Sequence, residues 1–387
     1  MKLFRRYRNR LPKLILYANI LFLTYLYATD SRYRSALTFS EPENIYQTLF
    51  LKTKNAADPE SFLLEAEFRA KLEILPVEEK NQILYQIFGY EKPKYHVKNN
   101  QVYTQRLPNT ILLGSKKCGT GALQSFLKLH SKVITPSIDE PHFFDKRENY
   151  GKGLDWYRSL FLESTKTDIV FEKTPKYLSV RDVPDIMSKT LNVENMKFIV
   201  VVCDPVNRAW SDWNFVKKTK GFGAKMDNFN FVDFGKFIKN ADNRGLANFS
   251  PRQVMDITDG DDSPLSIITN GFYFHQLTYW LKYLSKHQIL LVDGEKLIYA
   301  PWEEIIKVQD FLGIQQEVRR QHFVKSEKSG FYCVMKDGKN KCLNKGKGMT
   351  RGREGDKMKE EDRELLQKIY RGQVEKLNEL FDTDFKW

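Results

Sequence analysis

The chain has 387 residues, of which 41% are apolar and 13% aromatic, and its formal net charge is +13. An apolar fraction of this size supports a substantial core and excludes a wholly disordered protein. The length suits one large α/β domain or two smaller domains, and the basic excess favours an anionic ligand.

The N-terminus has the pattern of a membrane-targeting segment. Residues 1–13 carry six positive charges and no acidic residue, and an uncharged apolar run follows over residues 14–29. A cleaved signal peptide is one interpretation, but Ala28-Thr29-Asp30 fits a cleavage site poorly. We favour an uncleaved signal anchor, with a cytoplasmic tail over 1–13 and the rest of the chain in the secretory lumen. The short span suits the thinner membranes of the early secretory pathway.

Residues 30–106 are charged and punctuated by proline, and we predict a lumenal stem there.

From Leu107 onward, short apolar runs alternate with helical periods, as in an α/β domain. Four runs rich in Ile, Leu and Val predict strands buried on both faces, as in a parallel sheet: Thr110–Gly114, Ile169–Glu172, Phe198–Val202 and Ile289–Asp293. The predicted helices are Thr120–Leu129, Leu154–Phe161, Val183–Lys189, Val206–Lys218, Phe274–Ser285, Pro301–Leu312 and Glu360–Leu380.

The stretch LGSKKCGTGALQSFLKLH leaves the first predicted strand through a glycine turn and enters a helix. The amides of Cys118, Gly119, Thr120 and Gly121 would surround a phosphate at the helix N-terminus, where the helix dipole favours negative charge. Lys117 lies on the approach to this loop. Taken alone the signal is weak, because glycines often precede helices. The stretch lacks the G-x-x-x-x-G-K-[ST] pattern, which argues against a P-loop kinase.

A polar segment, DEPHFFDKREN, lies between the first predicted helix and the second predicted strand. In it, Glu140 is a candidate proton acceptor and His142 the imidazole that tunes it. A purely structural pair between His142 and Asp145 is the alternative. The segment FEKTPKYL follows the second strand directly, which places Lys173 and Thr174 at the carboxyl edge of the sheet.

Two further segments suit anions. In VVVCDPVNRAWSDWNF, Arg208 and Ser211 lie one turn apart at the start of a helix. Near the C-terminus a basic loop carries Lys345, Lys347, Arg351 and Arg353, although such a charge run is usually solvated surface. Two phosphate-binding elements without a Walker lysine or an acidic pair for magnesium predict a nucleotide with phosphates at two separate places. A nucleoside 3′-phosphate 5′-phosphosulfate fits that description.

The four cysteines give a mixed prediction. Cys333 and Cys342 bracket a turn at Asp337-Gly338, and a disulfide closing this hairpin suits an oxidising lumen. Zinc is disfavoured, because no paired cysteines or clustered histidines complete a tetrahedral set. Cys118 and Cys203 are predicted to be free thiols.

The span from Leu107 to Trp387 resembles the heparan sulfate glucosamine 3-O-sulfotransferases. The resemblance rests on KKCGTGAL, EPHFFD, Y-x-K-G-L-D-W-Y, FEKTPKY, DPVNRAWSD, VQDFLG, KSGFYC and CLNKGKG, in this order. It implies an α/β, P-loop-like sulfotransferase fold over 107–387, with a central parallel sheet flanked by helices. It also implies 3′-phosphoadenylyl sulfate as sulfate donor, no metal, a heparan sulfate acceptor, no nucleic-acid partner and a single-pass type II Golgi membrane protein.

The resemblance implies roles for individual residues. Glu140 matches the catalytic base, His142 and Asp145 its supports, Lys173 a lysine that steadies the sulfonate, and Lys117 a lysine at the leaving oxygen. Donor-binding residues are implied at Lys117, Cys118, Gly119, Thr120, Gly121, Cys203, Ser211, Tyr332, Lys347, Gly348, Met349, Thr350 and Arg351. Acceptor-binding residues are implied at Asp139, Glu140, Pro141, His142, Phe143, Phe144, Asp145, Lys173, Thr174, Pro175 and Lys176. The Cys333–Cys342 disulfide also matches the family.

This sequence departs from the family pattern at three arginines, which are replaced by Gly121, Cys203 and Met349. A hydrogen bond to a charged group is worth about 1.5–3 kcal/mol, so weaker donor binding is expected unless Arg208 or Arg351 compensates. A glucosamine N-sulfotransferase and a weakly active or inactive glycan-binding relative remain alternatives. A polyanionic acceptor suits the predicted basic rim of the cleft, formed by Lys146, Arg147, Lys152, Lys176 and the C-terminal basic loop.

Overall fold

A computed structural model describes residues 95–220, 225–226, 229–230, 233–258, 264–327, 330–336, 339–342 and 357–387. The predicted tail over 1–13, the predicted anchor over 14–29 and the predicted stem as far as residue 94 lie outside these residues. None of the helices in the described ranges has the length and apolar character needed to cross a membrane. Tyr95–Trp387 forms one compact unit.

The compact unit contains short strands and one central sheet of longer, buried strands. In chain order, the strands of the described ranges are β1 (Tyr95–Lys98), β2 (Gln101–Gln105), β3 (Thr110–Gly114), β4 (Val133–Ile134), β5 (Glu163–Ser164), β6 (Ile169–Lys173), β7 (Lys197–Val202), β8 (Lys225–Met226), β9 (Phe229–Asn230), β10 (Ile289–Asp293), β11 (Phe323–Lys325), β12 (Tyr332–Lys336) and β13 (Lys339–Lys341).

The central sheet has the strand order β10-β7-β3-β6-β4, and all neighbouring strands are parallel. The four predicted strands are confirmed as β3, β6, β7 and β10, and every residue of β3 and β6 is buried. Burial on both faces explains why these strands read as continuous apolar runs rather than alternating ones. Because the strands are parallel, the loops that follow them lie at one edge of the sheet.

The helices of the described ranges connect and flank this sheet. They are α1 (Thr120–Leu127), α2 (Arg147–Tyr150), α3 (Gly153–Ser159), α4 (Val183–Thr190), α5 (Pro205–Lys220), α6 (Phe234–Asn243), α7 (Pro251–Thr258), α8 (Ser266–Thr269), α9 (Tyr273–Trp280), α10 (Lys296–Tyr299), α11 (Pro301–Leu312), α12 (Glu360–Tyr370) and α13 (Gln373–Phe381).

The single helix predicted over Glu360–Leu380 is wrong, because the structure has two helices there. Gly372, between α12 and α13, has a φ of 74°, which a right-handed helix does not accommodate. A glycine with positive φ is a common way to end a helix. The other predicted helices are present, with ends that differ by a few residues in most cases.

A hydrophobic core surrounds the central sheet, and a second cluster joins α5, α6 and α12. The described ranges also contain three small antiparallel sheets, with the orders β1-β2-β5, β11-β12-β13 and β8-β9. In the first, Thr104 of β2 pairs with Ser164 of β5. The compact unit therefore includes residues ahead of Leu107, where the sequence analysis placed the start of the domain.

The disulfide predicted between Cys333 and Cys342 is confirmed. The prediction of free thiols at Cys118 and Cys203 is wrong, because these two residues form a second disulfide across a sequence separation of 85. The reason lies in the sheet order. β3 and β7 are parallel neighbours, so the loop after β3 and the end of β7 meet at the same edge. Sequence separation alone conceals this proximity.

Candidate active site

The loop that follows β3, which we call the opening loop (residues 115–119), turns sharply before α1. The amide of Ser115 donates to the carbonyl of Val201 on β7 at 2.9 Å, and the amide of Cys118 donates to the Ser115 carbonyl at 3.1 Å. Lys117 and Gly119 both have positive φ, 76° and 100°. The Cys118 amide, predicted to face a phosphate, is thus engaged within the loop. In the first turn of α1 the Ala122 amide donates to the Gly119 carbonyl at 2.9 Å, so the amides ahead of Ala122 are the ones suited to an anion.

A buried ion cluster ties the opening loop to α5. Lys116 Nζ lies 3.0 Å from Asp212 Oδ1, and Arg208 donates to Asp212 Oδ2 at 3.0 Å. Arg208 also donates to the carbonyl of Ile267. Burial raises the pKa of Asp212, but the charges of Lys116 and Arg208 outweigh it and the net pKa is lowered. The sequence analysis missed Asp212, although its spacing of four from Arg208 on a helix is a usable signal.

A pocket of about 720 Å³, including its open mouth, lies between the opening loop, α5 and the loop after β10. The predicted donor residues Lys117, Cys118, Gly119, Cys203, Ser211 and Tyr332 all line it. Thr120 and Gly121 are not among the lining residues, and Lys347, Gly348, Met349, Thr350 and Arg351 lie outside the described residues. Six of the predicted donor residues, from three stretches of the sequence, thus line one pocket.

Two cationic side chains face this pocket. Lys117 Nζ lies 4.3 Å from the ring centroid of Phe215, and burial lowers the pKa of the lysine. Arg208 is only 1% exposed, and its Nε has no hydrogen-bond partner in the described part of the chain. Arg208 therefore adds positive charge to the pocket wall, and its terminal nitrogens are engaged with Asp212 and Ile267.

The sequence analysis missed the part of the pocket that follows β10. Gly294 donates its amide to the Val202 carbonyl at 2.7 Å, and a Cβ there would lie 2.5 Å from the Cys118 carbonyl oxygen. The close approach of the opening loop therefore requires glycine at this position. Glu295, Leu297 and Ile298 also line the pocket. The predicted strand Ile289–Asp293 ends here, so the rule that ligands bind at carboxyl ends of strands was the available signal.

A second cluster, the carboxylate–lysine cluster, consists of Asp139, Glu140, His142, Asp145 and Lys173. Lys173 Nζ donates to Glu140 Oε1 at 2.6 Å and lies 3.4 Å from Asp139 Oδ1. His142 contacts two carboxylates, with Nδ1 2.7 Å from Asp145 Oδ2 and Nε2 3.5 Å from Glu140 Oε2. The His142–Asp145 pair is real, but the imidazole also reaches Glu140, so the pair belongs to a larger network.

The charges of this cluster act on one another. Burial raises the pKa of Glu140, but the hydrogen bond from His142 and the charge of Lys173 outweigh it, and the net pKa lies below its usual value. Burial opposes the charge on His142, yet the contacts with Asp145 and Glu140 raise its pKa to about 9. At neutral pH Glu140 is therefore an ionised carboxylate held between two cations.

Backbone contacts hold the loop that carries Glu140. His142 has a positive φ of 49°, and its amide donates to Thr174 Oγ1 at 3.3 Å. The side chain of Asn149 donates to the carbonyls of Pro141 and His142 at 3.0 and 3.2 Å. The Phe143 amide donates to the Tyr177 hydroxyl at 2.8 Å. These contacts fix the direction in which the Glu140 side chain points.

A buried carboxylate beneath the cluster, Glu172, was not predicted as a site residue. Thr174 Oγ1 donates to its Oε1 at 2.5 Å, and Tyr157 OH donates to its Oε2 at 2.9 Å. Burial raises the pKa of Glu172 to about 7, which these hydrogen bonds only partly oppose. A glutamate inside an apolar strand was the sequence signal for it.

The other predicted acceptor residues have different surroundings. Phe143 and Phe144 are buried and pack against Tyr157, and Phe144 also contacts Tyr177. Pro141, Thr174 and Pro175 are buried, whereas Lys176 is partly exposed. Of the predicted basic rim, Lys146 is partly exposed, and Arg147 and Lys152 are exposed. The buried residues therefore support the loop from below, and the basic side chains remain accessible.

The two parts of the site leave neighbouring strands. Leu112 of β3 pairs with Lys173 of β6, and the Thr174 amide donates to the Leu112 carbonyl at 3.3 Å. The opening loop and the Lys173–Thr174 corner therefore emerge side by side. We call the pocket lined by Lys117 and Arg208 the anion pocket. A cationic pocket next to an ionised carboxylate and a buried lysine is an arrangement suited to transfer of an anionic group onto a hydroxyl. No group of side chains in the described ranges is arranged to hold a metal ion.

Comparison with known proteins agrees with this arrangement. The sulfotransferase domain family matches residues 107–381. This chain is 34% identical over 287 residues to heparan sulfate glucosamine 3-O-sulfotransferase 3B1 from Mus musculus. It is 35% identical over 290 residues to the protein of the same name from Homo sapiens. Each match covers 73% of this chain and 66% of the relative. The chain thus spans slightly less than two thirds of these two relatives. Heparan sulfate glucosamine 3-O-sulfotransferase 6 from Mus musculus is 33% identical over 73% of this chain and 74% of the relative. By these matches, the chain belongs to the sulfotransferase domain family and, within it, to the heparan sulfate glucosamine 3-O-sulfotransferases.

Proposed function

We propose that the protein transfers the sulfonate of 3′-phosphoadenylyl sulfate to the 3-hydroxyl of glucosamine residues in heparan sulfate. The observation that carries this proposal is the ionised Glu140, bound to Lys173 and His142, at the sheet edge that also bears the anion pocket. Membership of the family supports the same reaction.

The charge of the donor substrate suits the residues that line the pocket. Lys117 and Gly119, where the opening loop meets α1, line the pocket and suit the 5′-phosphosulfate, and Ser211 on α5 suits the 3′-phosphate. Arg208 adds a further positive charge to the pocket wall. Tyr332, beside the Cys333–Cys342 disulfide, lines the same pocket and suits contact with the base or ribose. Glu295 also lines the pocket, and its negative charge disfavours a phosphate beside it.

Glu140 serves as the general base. Its lowered pKa keeps it ionised at neutral pH, so it accepts the proton of the sugar hydroxyl as the hydroxyl oxygen attacks sulfur. The new bond joins the sugar oxygen to sulfur, and the bond between sulfur and the phosphate oxygen breaks with its electron pair on the leaving phosphate. Adenosine 3′,5′-bisphosphate departs, and the protein forms no covalent intermediate.

Lys173 and Lys117 stabilise the charge that develops during transfer. An ammonium has three donors, and Lys173 directs one at Glu140 and one towards Asp139, which leaves one for a sulfonate oxygen. Lys117 faces the leaving oxygen. Lys173 is buried and Lys117 is partly buried, which strengthens their effect because water screens them less. His142 and Asp145 keep Glu140 in place and balance its charge.

The acceptor is a polyanion, and the exposed cations near the cluster suit it. Arg147 and Lys152 are exposed, and Lys146 and Lys176 are partly exposed. Binding of such a chain weakens as salt rises, because counterions compete for the same cations. The basic tail and apolar run at the N-terminus support residence in the Golgi membrane as a type II protein, with the catalytic part in the lumen.

Disaccharide analysis of heparan sulfate tests the proposal directly. The protein is incubated with the polysaccharide and the sulfate donor, and the product is digested and separated. New 3-O-sulfated glucosamine is the expected result. New N-sulfate instead would replace the proposal by an N-sulfotransferase. Retained heparan sulfate binding with no transfer would indicate a glycan-binding relative, which the missing arginines at Gly121 and Cys203 would explain.

A further inference from the structure

The Cys118–Cys203 disulfide lies in the wall of the anion pocket. Cys118 belongs to the opening loop and Cys203 directly follows β7, and both residues line the pocket. They are buried, with exposures of 3% and 4%. The bond therefore joins the loop that carries Lys117 to the strand end from which α5 and Ser211 start.

The disulfide is enclosed by two further elements. The Tyr273 hydroxyl of α9 donates to the Cys203 carbonyl at 3.0 Å and lies 3.2 Å from Cys118 Sγ. Opposite the loop, a Cβ on Gly294 would lie 2.5 Å from the Cys118 carbonyl oxygen and 3.1 Å from Cys203 Cβ. Away from the pocket the bond is closely packed by Tyr273 and Gly294, so a movement of either cysteine in that direction would displace its neighbours.

The backbone on each side of Cys118 needs such support. Lys117 and Gly119 have φ values of 76° and 100°. A left-handed conformation is uncommon for a lysine and costs free energy, so surrounding contacts must maintain it. A loop released at Cys118 would gain access to ordinary conformations in which the Lys117 side chain and the start of α1 point elsewhere.

We propose that the Cys118–Cys203 disulfide is a positioning crosslink for the nucleotide donor. It holds Lys117 and the first turn of α1 in the donor-binding geometry before the nucleotide arrives, which lowers the ordering cost of binding. The inference rests on the proposed function, because the ligand of the pocket is the donor. It assigns to the two cysteines a role in donor affinity, not in the proton transfer at Glu140.

A positioning role and a purely stabilising role predict different results. A purely stabilising disulfide, once removed, lowers the free energy of unfolding and leaves the ligand affinity of the folded protein unchanged. A positioning disulfide, once removed, weakens nucleotide binding even where the protein is fully folded. The turnover number at saturating donor should change little in the second case, because the carboxylate–lysine cluster is intact.

The main experiment compares nucleotide affinity by calorimetry with adenosine 3′,5′-bisphosphate at a temperature where every variant is folded. The variant Cys118→Ser/Cys203→Ser should bind about tenfold more weakly, which corresponds to about 1.4 kcal/mol. Its KM for the donor should rise by a similar factor, with kcat within about twofold of wild type at saturating donor. Met187→Ala is the matched control, since it removes a buried side chain of α4 that does not line the pocket.

A second measurement decides the case if the double variant does not fold. The chain has four cysteines, so a Cys333→Ser/Cys342→Ser background leaves a single reducible bond. A phosphine reduces it to two thiols and becomes the phosphine oxide, with water supplying the oxygen and both protons. Glutathione disulfide then restores the bond and yields two glutathione thiols. Affinity should fall about tenfold on reduction, equivalent to about 1.4 kcal/mol, and recover on reoxidation.

The outcomes separate the inference from the proposed function. Weaker binding in the folded double variant, with normal binding in Met187→Ala, supports the positioning role. Equal affinity with and without the bond overturns it, as does an equal loss in Met187→Ala. If the oxidised wild type itself binds no adenosine 3′,5′-bisphosphate, the proposed donor site fails, and the inference fails with it for that separate reason.

Discussion

The anion pocket and the carboxylate–lysine cluster leave adjacent strands, yet they achieve their geometry by different means. In the cluster, charged side chains hold one another: Lys173 binds Glu140, and His142 bridges Glu140 and Asp145. In the pocket, a covalent bond joins Cys118 to Cys203, and Lys116 is paired with Asp212 outside the lining. The cluster therefore depends on its charges, whereas the pocket depends on a covalent bond in addition to the ion pairs of Asp212 with Lys116 and Arg208.

The largest expected effect comes from a change in the carboxylate–lysine cluster. Glu140→Gln removes the proton acceptor and should lower the turnover number for sulfate transfer by about 10²–10⁴-fold. Donor affinity should stay within about twofold, because the pocket is untouched. Transfer of radiolabelled sulfate to heparan sulfate measures the first quantity and calorimetry the second. Glu148→Gln, at an exposed position of α2, is the matched control. Near-normal transfer by Glu140→Gln would remove Glu140 from the mechanism.

The next effect compares the two disulfides as constraints on the unfolded chain. The Cys118–Cys203 bond closes a separation of 85 residues and the Cys333–Cys342 bond one of 9. The loop-entropy model then gives losses of about 4–5 kcal/mol and about 2–3 kcal/mol in the free energy of unfolding when each pair is changed to serine. Urea unfolding of the two double variants measures both. An equal loss in the two would show that native contacts, rather than loop length, set the contribution.

A smaller effect is expected from a change in the part of the pocket that α5 forms. Ser211→Ala removes the hydroxyl proposed to bind the 3′-phosphate, and a hydrogen bond to a charged group is worth about 1.5–3 kcal/mol. Affinity for adenosine 3′,5′-bisphosphate should therefore fall by about tenfold or more. Adenosine 5′-phosphate, which lacks the 3′-phosphate, should bind both proteins equally. Ser188→Ala on α4 is the control, since that hydroxyl donates to the Asp185 carbonyl. Equal losses for the two nucleotides would place the 3′-phosphate elsewhere.

The smallest effect is the pH dependence of stability that His142 confers. Its folded-state pKa of about 9 lies above the unfolded value of about 6.5. The stabilisation is therefore fully present below pH 6.5 and is lost as pH rises through about 9. The side chain is 25% exposed, so we expect the advantage of wild type over His142→Gln to shrink by only about 1–2 kcal/mol. Urea unfolding of both proteins at pH 6 and pH 9.5 measures this, and parallel curves would contradict it.

Much of the fold and of the site was predictable from the sequence, for identifiable reasons. β3, β6, β7 and β10 are continuous apolar runs, and Pro301 marks the start of α11 as expected. Lys173 was predicted to lie near the opening loop, because both follow strands of a parallel sheet and the carboxyl ends of such strands lie at one edge. The cysteine pairing was not predictable, because it depends on β3 and β7 being neighbours, which no local pattern records. Glu172 was predicted only as a residue of β6, and its role in the site was missed. Its hydrogen-bond partners, Tyr157 and Thr174, lie outside that strand, so the strand pattern does not show them.

The 85-residue covalent loop between Cys118 and Cys203 has a consequence for how the protein behaves when it is cut. Glu140, His142 and Lys173 all lie inside this loop. A protease that cleaves the chain anywhere between the two cysteines leaves both fragments tethered. Such nicked material would migrate as one species on a denaturing gel and separate into two bands only after a thiol is added.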